Sequence, residues 1–101
     1  MTESLGIIET IGYTAAIQAA DAAVKSAKIK LGKTLNVGGG KVNVIIRGDV
    51  AAVKAAIEAG VKAASRIGKV ESEVIIPRPS DKLSPVFPLE ALKKTAKKAT
   101  K

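Results

Sequence analysis

Hydrophobic and polar positions along the chain recur with two different periods, and each change of period marks a new element. Residues 5–11 form a short run rich in β-branched side chains, which predicts a strand that Gly12 closes. Small apolar residues then recur at spacings of three and four, which predicts a helix over residues 14–28 with Thr14 as its N-cap. The buried face of this helix is predicted to comprise Ala16, Ala20, Ala23, Val24 and Ala27.

The middle of the chain predicts two strands joined by glycines. Residues 29–37 have the composition of a strand, Gly38-Gly39-Gly40 interrupts them, and residues 41–47 resume with polar and apolar side chains in alternation. Glycine adopts the positive φ angles of tight turns at no steric cost. A hairpin centred on the glycine triplet is therefore expected.

A second helix and a last strand follow. Asp49 is a suitable N-cap for a helix over residues 50–67, Gly68 is a typical stop, and residues 70–76 form a strand ended by Pro77. The buried face of the helix is predicted to comprise Val53, Ala56, Ile57, Gly60, Ala64 and Ile67. A polar stripe formed by Lys54, Glu58, Lys62 and Arg66 lies opposite.

The element order is β-α-β-β-α-β, which is the ferredoxin-like pattern of an α+β (mixed α/β) fold. We expect an antiparallel sheet with both helices on one face. A single domain should span residues 1–89, followed by a lysine-rich tail, residues 90–101, that is flexible or weakly helical. Alanine-rich helices bury little area per residue, so further burial through self-association is expected.

The net charge of +8 is unevenly distributed. The tail has five lysines and one acid, hence +4, which leaves +4 for residues 1–89. Such a tail suits acidic partners, and a nucleic-acid-binding or signalling module is the alternative function. Nucleic acid is the less expected partner, because the only aromatic residues are Tyr13 and Phe87 and neither lies among the lysines.

The composition also limits the chemistry. The chain has no cysteine and no histidine, so we expect no disulfide, no metal site, no cofactor and a cytosolic location. No pair of acidic residues has a spacing that indicates general acid–base catalysis, so no catalytic residue is assigned and an enzyme is not expected. No signal peptide or apolar run of about 20 residues is present, so no membrane association is expected.

Two short motifs are accounted for by simple structural roles. Gly32-Lys33-Thr34 resembles the end of a phosphate-binding loop, but Ala27 stands where that motif needs glycine, and no helix follows directly. Arg47-Gly48-Asp49 spells an adhesion tripeptide, yet strand end, turn and helix N-cap account for its three residues.

The glycine triplet leaves two interpretations open. A hairpin turn needs only two such residues, and the turn is the simpler interpretation. Three glycines also remove every side chain from a surface, which suits a close approach of backbone to a ligand or to copies of the same loop.

Several motifs together resemble one known family, the hexameric shell proteins of bacterial microcompartments. The resemblance runs in register from about residue 4 to about residue 88. It is carried by Leu5-Gly6-Ile7-Ile8-Glu9-Thr10, the segment Ala19-Ala20-Asp21-Ala22-Ala23-Val24-Lys25-Ser26-Ala27, the glycine triplet, Arg47-Gly48-Asp49-Val50-Ala51-Ala52-Val53-Lys54-Ala55-Ala56, Ala59-Gly60, Arg66-Ile67-Gly68 and Ile75-Ile76-Pro77-Arg78-Pro79.

The resemblance implies a flat cyclic hexamer that tiles into a shell around enzymes in the bacterial cytoplasm. Gly38, Gly39 and Gly40 would line a pore on the six-fold axis, with Lys41 at its mouth. Lys25 and Arg78 would lie at the edge between hexamers, where Pro77 and Pro79 keep the backbone extended. The implied partners are further copies of the chain, other shell proteins, encapsulated enzymes or their targeting peptides, and small polar or anionic metabolites.

Overall fold

The computed structural model describes residues 3–83, so the predicted tail, residues 90–101, lies outside the described residues. Within that range the chain forms five strands and two helices. The elements are β1 (Ser4–Ile11), α1 (Tyr13–Ser26), β2 (Lys30–Leu31), β3 (Leu35–Gly38), β4 (Lys41–Gly48), α2 (Val50–Ser65) and β5 (Lys69–Ile76).

The strands form one antiparallel sheet whose order is β2-β4-β1-β5, with β3 beside β2 on the same edge of β4. The two longest pairings place β1 between β4 and β5, so β1 is central. This order and the α+β composition confirm the predicted ferredoxin-like fold.

The predicted strand over residues 29–37 was wrong in one respect, because it is divided into β2 and β3. Leu31 pairs with Ile46 and Leu35 pairs with Asn43, so the register slips by one residue between them. Gly32 still donates its N–H to the carbonyl of Ile45 at 2.7 Å. This hydrogen bond holds the start of the segment between β2 and β3 against β4.

The helices cover one face of the sheet, and the main core lies between them. Ile8 and Val44 face each other across β1 and β4, and both are buried beneath the helices. Small residues permit the close approach of these layers. A Cβ atom at Gly60 would lie 3.0 Å from the backbone oxygen of Ala19, and one at Gly6 would lie 2.8 Å from Val53 Cγ1.

The predicted start of α1 was wrong. The helix begins at Tyr13 with Gly12 as its N-cap, and Thr14 lies within the first turn. Gly12 has φ 87°, and its N–H donates to the carbonyl of Gly40 at 2.6 Å. The start of α1 is therefore fixed by the hydrogen bond between Gly12 and Gly40 of the glycine turn. No side chain caps the helix.

The predicted buried face of α1 needs correction. Ala15, Ala16, Ala19 and Ala23 are buried, whereas Val24 is 44% exposed. Ala20 and Ala27 are only partly buried and pack against the core. In this helix the pattern cannot fix which alanines face inward, because six of its 14 residues are alanine and they occur in adjacent pairs.

The buried face of α2 was predicted correctly except at its end. Val53, Ala56, Ile57, Gly60 and Ala64 are buried, and Asp49 occupies the N-cap without a capping hydrogen bond from its side chain. Ile67 lies beyond the last residue of the helix and is 52% exposed. Gly68 is not in a left-handed conformation, so the helix ends without the predicted glycine stop.

The sheet face opposite the helices carries a second, smaller apolar cluster. Leu5 and Ile45 are its buried members, and Ile7, Leu35, Ile76 and Leu83 pack against them. Leu83 belongs to the segment after β5, so the chain returns over this face before the described residues end. Ile11 and Val74 remain more than one-third exposed.

Candidate functional site

The glycine triplet forms the turn between β3 and β4. Gly38 pairs with Lys41, so Gly39 and Gly40 are the two central residues, with φ of 63° and 77°. Positive φ at both central positions is the signature of a type I′ turn. Gly38 also has a positive φ, 89°, and lies where the register of β3 shifts.

The positive φ angles therefore explain why glycine occupies all three positions. The sequence alone explained only the two that a hairpin turn needs. No atom lies within 4 Å of a Cβ built at any of them, so the turn faces open space. Side chains there would meet no neighbour within the described chain, and the obstacle to them is the left-handed backbone.

Two hydrogen bonds hold the turn in place. Gly12 donates to the carbonyl of Gly40, as described above, and Asn36 Oδ1 accepts from the N–H of Gly38 at 3.3 Å. The first of these ties the turn to the junction of β1 and α1. The turn is thus attached to the central strand rather than extending freely from the sheet.

Lys41 follows the turn and is directed toward β5. Its Nζ lies 3.8 Å from Glu71 Oε2, and Lys69 Nζ lies 3.4 Å from the other oxygen of the same carboxylate. The structure thus places an acid beside the lysine predicted at the pore mouth, which sequence reasoning missed. No local signal was available, because Lys41 and Glu71 are 30 positions apart and only the pairing of three strands brings them together.

The residues predicted at the edge between hexamers are exposed and locally anchored. Lys25, in the last turn of α1, pairs with Asp21 at 2.9 Å, and its side chain is 73% exposed. The carbonyl of Pro77 accepts a hydrogen bond from Ser4 Oγ at 2.8 Å, and Pro79 is buried. Arg78 stands between these two fixed points with its side chain exposed.

The two sets of predicted site residues occupy opposite ends of the sheet. The turn lies beside the Ile11 end of β1, whereas Pro77 lies beside Ser4 at the other end. Lys25 also lies at the Ser4 end of the sheet. The helix α1 runs back from the Ile11 end to β2, where Lys30 pairs with Arg47, and Arg47 pairs with Leu5 next to Ser4. Eight residues of extended strand separate the ends by about 23 Å.

Among the described residues, apolar grooves lie along both edges of the sheet, and sequence reasoning identified neither. One, of about 420 Å³, lies along α1 and is lined mainly by Tyr13, Ile17, Val24 and Leu31. The other, of about 600 Å³, lies between α2 and β5, and its apolar lining comprises Ile57, Val61, Val74 and Ile75. The first adjoins the β2 edge of the sheet and the second adjoins the β5 edge.

The remaining motifs have structural roles. Arg47 is buried, and its guanidinium lies 3.3 Å from Glu3 Oε1, so this arginine is not presented as part of an exposed adhesion tripeptide. Within residues 3–83 no cluster of acidic residues could hold a metal ion. In the same range no helix is long and apolar enough to cross a membrane.

Comparison with known proteins agrees with this architecture. The BMC domain is matched over residues 4–79. The chain is 52% identical over 87 residues to the bacterial microcompartment shell protein EutM of Salmonella typhimurium, covering 86% of this chain and 91% of that protein. It is 44% identical over 91 residues to the carboxysome shell protein CcmK2 of a Synechocystis strain, covering 88% of each.

A solved structure shares the fold. A microcompartment protein from Desulfitobacterium hafniense superimposes with a TM-score of 0.75 at 40% identity and covers 84% of this chain. The chain spans about half, 48%, of the length of that protein.

These matches define the class as structural shell proteins of bacterial microcompartments, which are not enzymes. The chain belongs to the BMC domain family. Its place is in the shell of a compartment within the bacterial cytoplasm. The predicted resemblance, the structural role and the location are thereby confirmed.

Proposed function

We propose that the chain is a shell tile in which six copies close into a flat ring around their glycine turns, and rings join edge to edge. The observation that carries this proposal is the separation of the two predicted sites. A tile needs one end of each subunit at the ring centre and the other at the rim. The glycine turn and the Lys25–Arg78 surface lie at opposite ends of the same sheet.

Ring closure needs two different surfaces on each subunit, because a cyclic contact is head to tail. The α1 groove and the α2–β5 groove supply two apolar surfaces at opposite sheet edges. Exposed Tyr13 and Ile17 would be covered in such a contact, which would supply burial that the small alanine-rich core lacks.

At the ring centre, six turns without side chains would leave backbone groups as the lining of a pore. Backbone N–H groups exposed at turns favour anions and small polar molecules. We therefore propose that small polar or anionic metabolites cross there, to and from enzymes that the shell encloses.

At the rim, Arg78 presents a planar guanidinium that can donate to carbonyl groups of a neighbouring ring. Lys25 can lay its aliphatic stem against an apolar neighbour while its ammonium reaches an acceptor. The partners of this surface are other rings of the same chain, other shell proteins, and the targeting peptides of encapsulated enzymes.

We expect Lys25→Ala to leave rings intact and to impair their joining, because the side chain lies at the rim end and is exposed. Native mass spectrometry measures the hexamer, and negative-stain electron microscopy measures flat hexagonal arrays. Lys28→Ala is the matched control, since it removes the same charge from an exposed position just past α1.

Normal arrays from Lys25→Ala would remove that residue from the rim contact. Loss of hexamers would place it in the ring interface instead. A purified wild-type protein that forms neither hexamers nor arrays would contradict the tile itself.

We expect Gly39→Asn to reduce the flux of small anions through assembled layers several-fold. Asparagine tolerates positive φ better than other side chains, so the hairpin should form while six amide side chains narrow the opening. The measurement is permeation through arrays or closed shells, with Gln18→Asn on the exposed face of α1 as the control. Unchanged flux in arrays of normal appearance would argue against passage at this turn.

A further inference from the structure

The end of the sheet beside the glycine turn carries a three-residue charge group. Lys41 and Lys69 are both paired in register with Ile11, on the two sides of the central strand. The carboxylate of Glu71 contacts both lysines, at 3.8 Å and 3.4 Å. The group therefore has one net positive charge where two lysines alone would have two.

A β-bulge places Glu71 in this position. Glu9 pairs with Ser72 and Thr10 pairs with Val70, so Glu71 is the extra residue on β5 without a partner on β1. Bulges change the direction of a side chain relative to a regular strand. If the register of Glu9 and Ser72 continued unbroken, Glu71 would pair with Thr10, whose side chain is fully buried. The one-residue shift removes Glu71 from that pairing, and its carboxylate reaches the two lysines instead.

These ion pairs have little value as stabilising contacts. The side chains of Lys41 and Lys69 are 44% and 74% exposed, and exposed ion pairs contribute little to stability. Their effect on the local electric field is larger, because the charges lie at the same end of the sheet as the turn. Gly12 links that end directly to Gly40.

We propose that Glu71 is a specificity-determining residue that limits the attraction of small anions to the glycine turn. It offsets the charge of Lys41 and Lys69, and in a ring this offset would be repeated at every subunit. The part of the proposal that concerns passage rests on the proposed function, whereas the part that concerns anion attraction does not. The ligand class is a small multivalent anion such as phosphate.

The test is titration of the assembled full-length protein with inorganic phosphate, followed through the amide NMR signals of Gly39 and Gly40. Glu71→Gln should lower the apparent dissociation constant about threefold to tenfold at low ionic strength. Lys69→Gln should raise it. Gln18→Lys is the matched control, because it also adds one positive charge but on the exposed face of α1, away from the two lysines, and its effect at the turn should be clearly smaller than that of Glu71→Gln.

Salt separates an electrostatic effect from a structural one. The Debye length falls from about 30 Å at 0.01 M to about 3 Å at 1 M ionic strength, so the difference between Glu71→Gln and wild type should vanish at high salt. A difference that persists at high salt, or an equal effect of Gln18→Lys, would overturn the proposal.

Flux of phosphate through assembled layers is measured on the same variants. If phosphate affinity at the turn rises in Glu71→Gln but the flux of phosphate stays constant, the proposed effect of Glu71 on anion attraction is supported. The same result contradicts the proposal that anions pass through the layer at the turn. If affinity is unchanged, or if no phosphate affects the Gly39 and Gly40 signals in any variant, the role of Glu71 is wrong whatever the flux.

Discussion

Replacement of Gly60 by valine is expected to destabilise the domain by about 3 kcal/mol, near the upper range of overpacking costs. A Cβ at this position would already lie 2.8 Å from Ile8 Cδ1 and 3.0 Å from the backbone oxygen of Ala19. The isoleucine can rotate away, but the backbone of α1 cannot move without separating the two helices. A loss of about 3 kcal/mol should lower the midpoint temperature of thermal unfolding by roughly 12–24 °C.

Ala55→Val is the matched control, because Ala55 is exposed on the same helix. It introduces valine into the helix without a clash and should cost at most about 0.7 kcal/mol. Both variants must be compared at equal protein concentration, since self-association adds to apparent stability. Equal losses in the two variants would contradict the close contact between α1 and α2.

Ile8→Ala is expected to lower the free energy of unfolding by about 2–5 kcal/mol. Ile8 is fully buried on the central strand, opposite Val44 and beneath both helices. Its removal leaves a cavity in the layer where the rigid sheet meets the helices, so little relaxation is expected. Urea unfolding followed by far-UV circular dichroism measures the loss.

Ile67→Ala is the control for this prediction and also tests a correction to the sequence analysis. The pattern placed Ile67 on the buried face of the second helix, whereas it is half exposed after the helix has ended. The truncation should therefore cost less than about 1 kcal/mol. A cost similar to that of Ile8→Ala would show that Ile67 is buried in the protein as it exists in solution.

Much of the fold was predictable because its signals are local. The helical period of α2 identified Val53, Ala56 and Ile57 as buried. This was possible because the apolar and the charged side chains of α2 fall on opposite faces of the helix. The helix α1 lacks this contrast, and so Ala15 and Ala19 were missed while Val24 was placed inward. The divided strand was missed because a one-residue register slip leaves no local trace.

The candidate site was predictable only in part. The glycine turn was visible, since three consecutive glycines between two strand patterns favour a turn with positive φ. The resemblance named Lys25 and Arg78. Glu71 was not singled out by any pattern in the sequence. Its role follows from a bulge and from two strand pairings that bring it to Lys41.

The amino-acid sequence by itself determined the order of the elements, the α+β class, the inward face of α2 and the position of the glycine turn. Each of these depends on residues within about one turn of helix or two strand positions. The tertiary structure alone decided that the turn and the Lys25–Arg78 surface lie at opposite ends of one sheet, and that Glu71 joins two lysines beside the turn. The physical reason is that strand register brings together residues that are tens of positions apart, and register depends on the packing of the whole sheet against its helices.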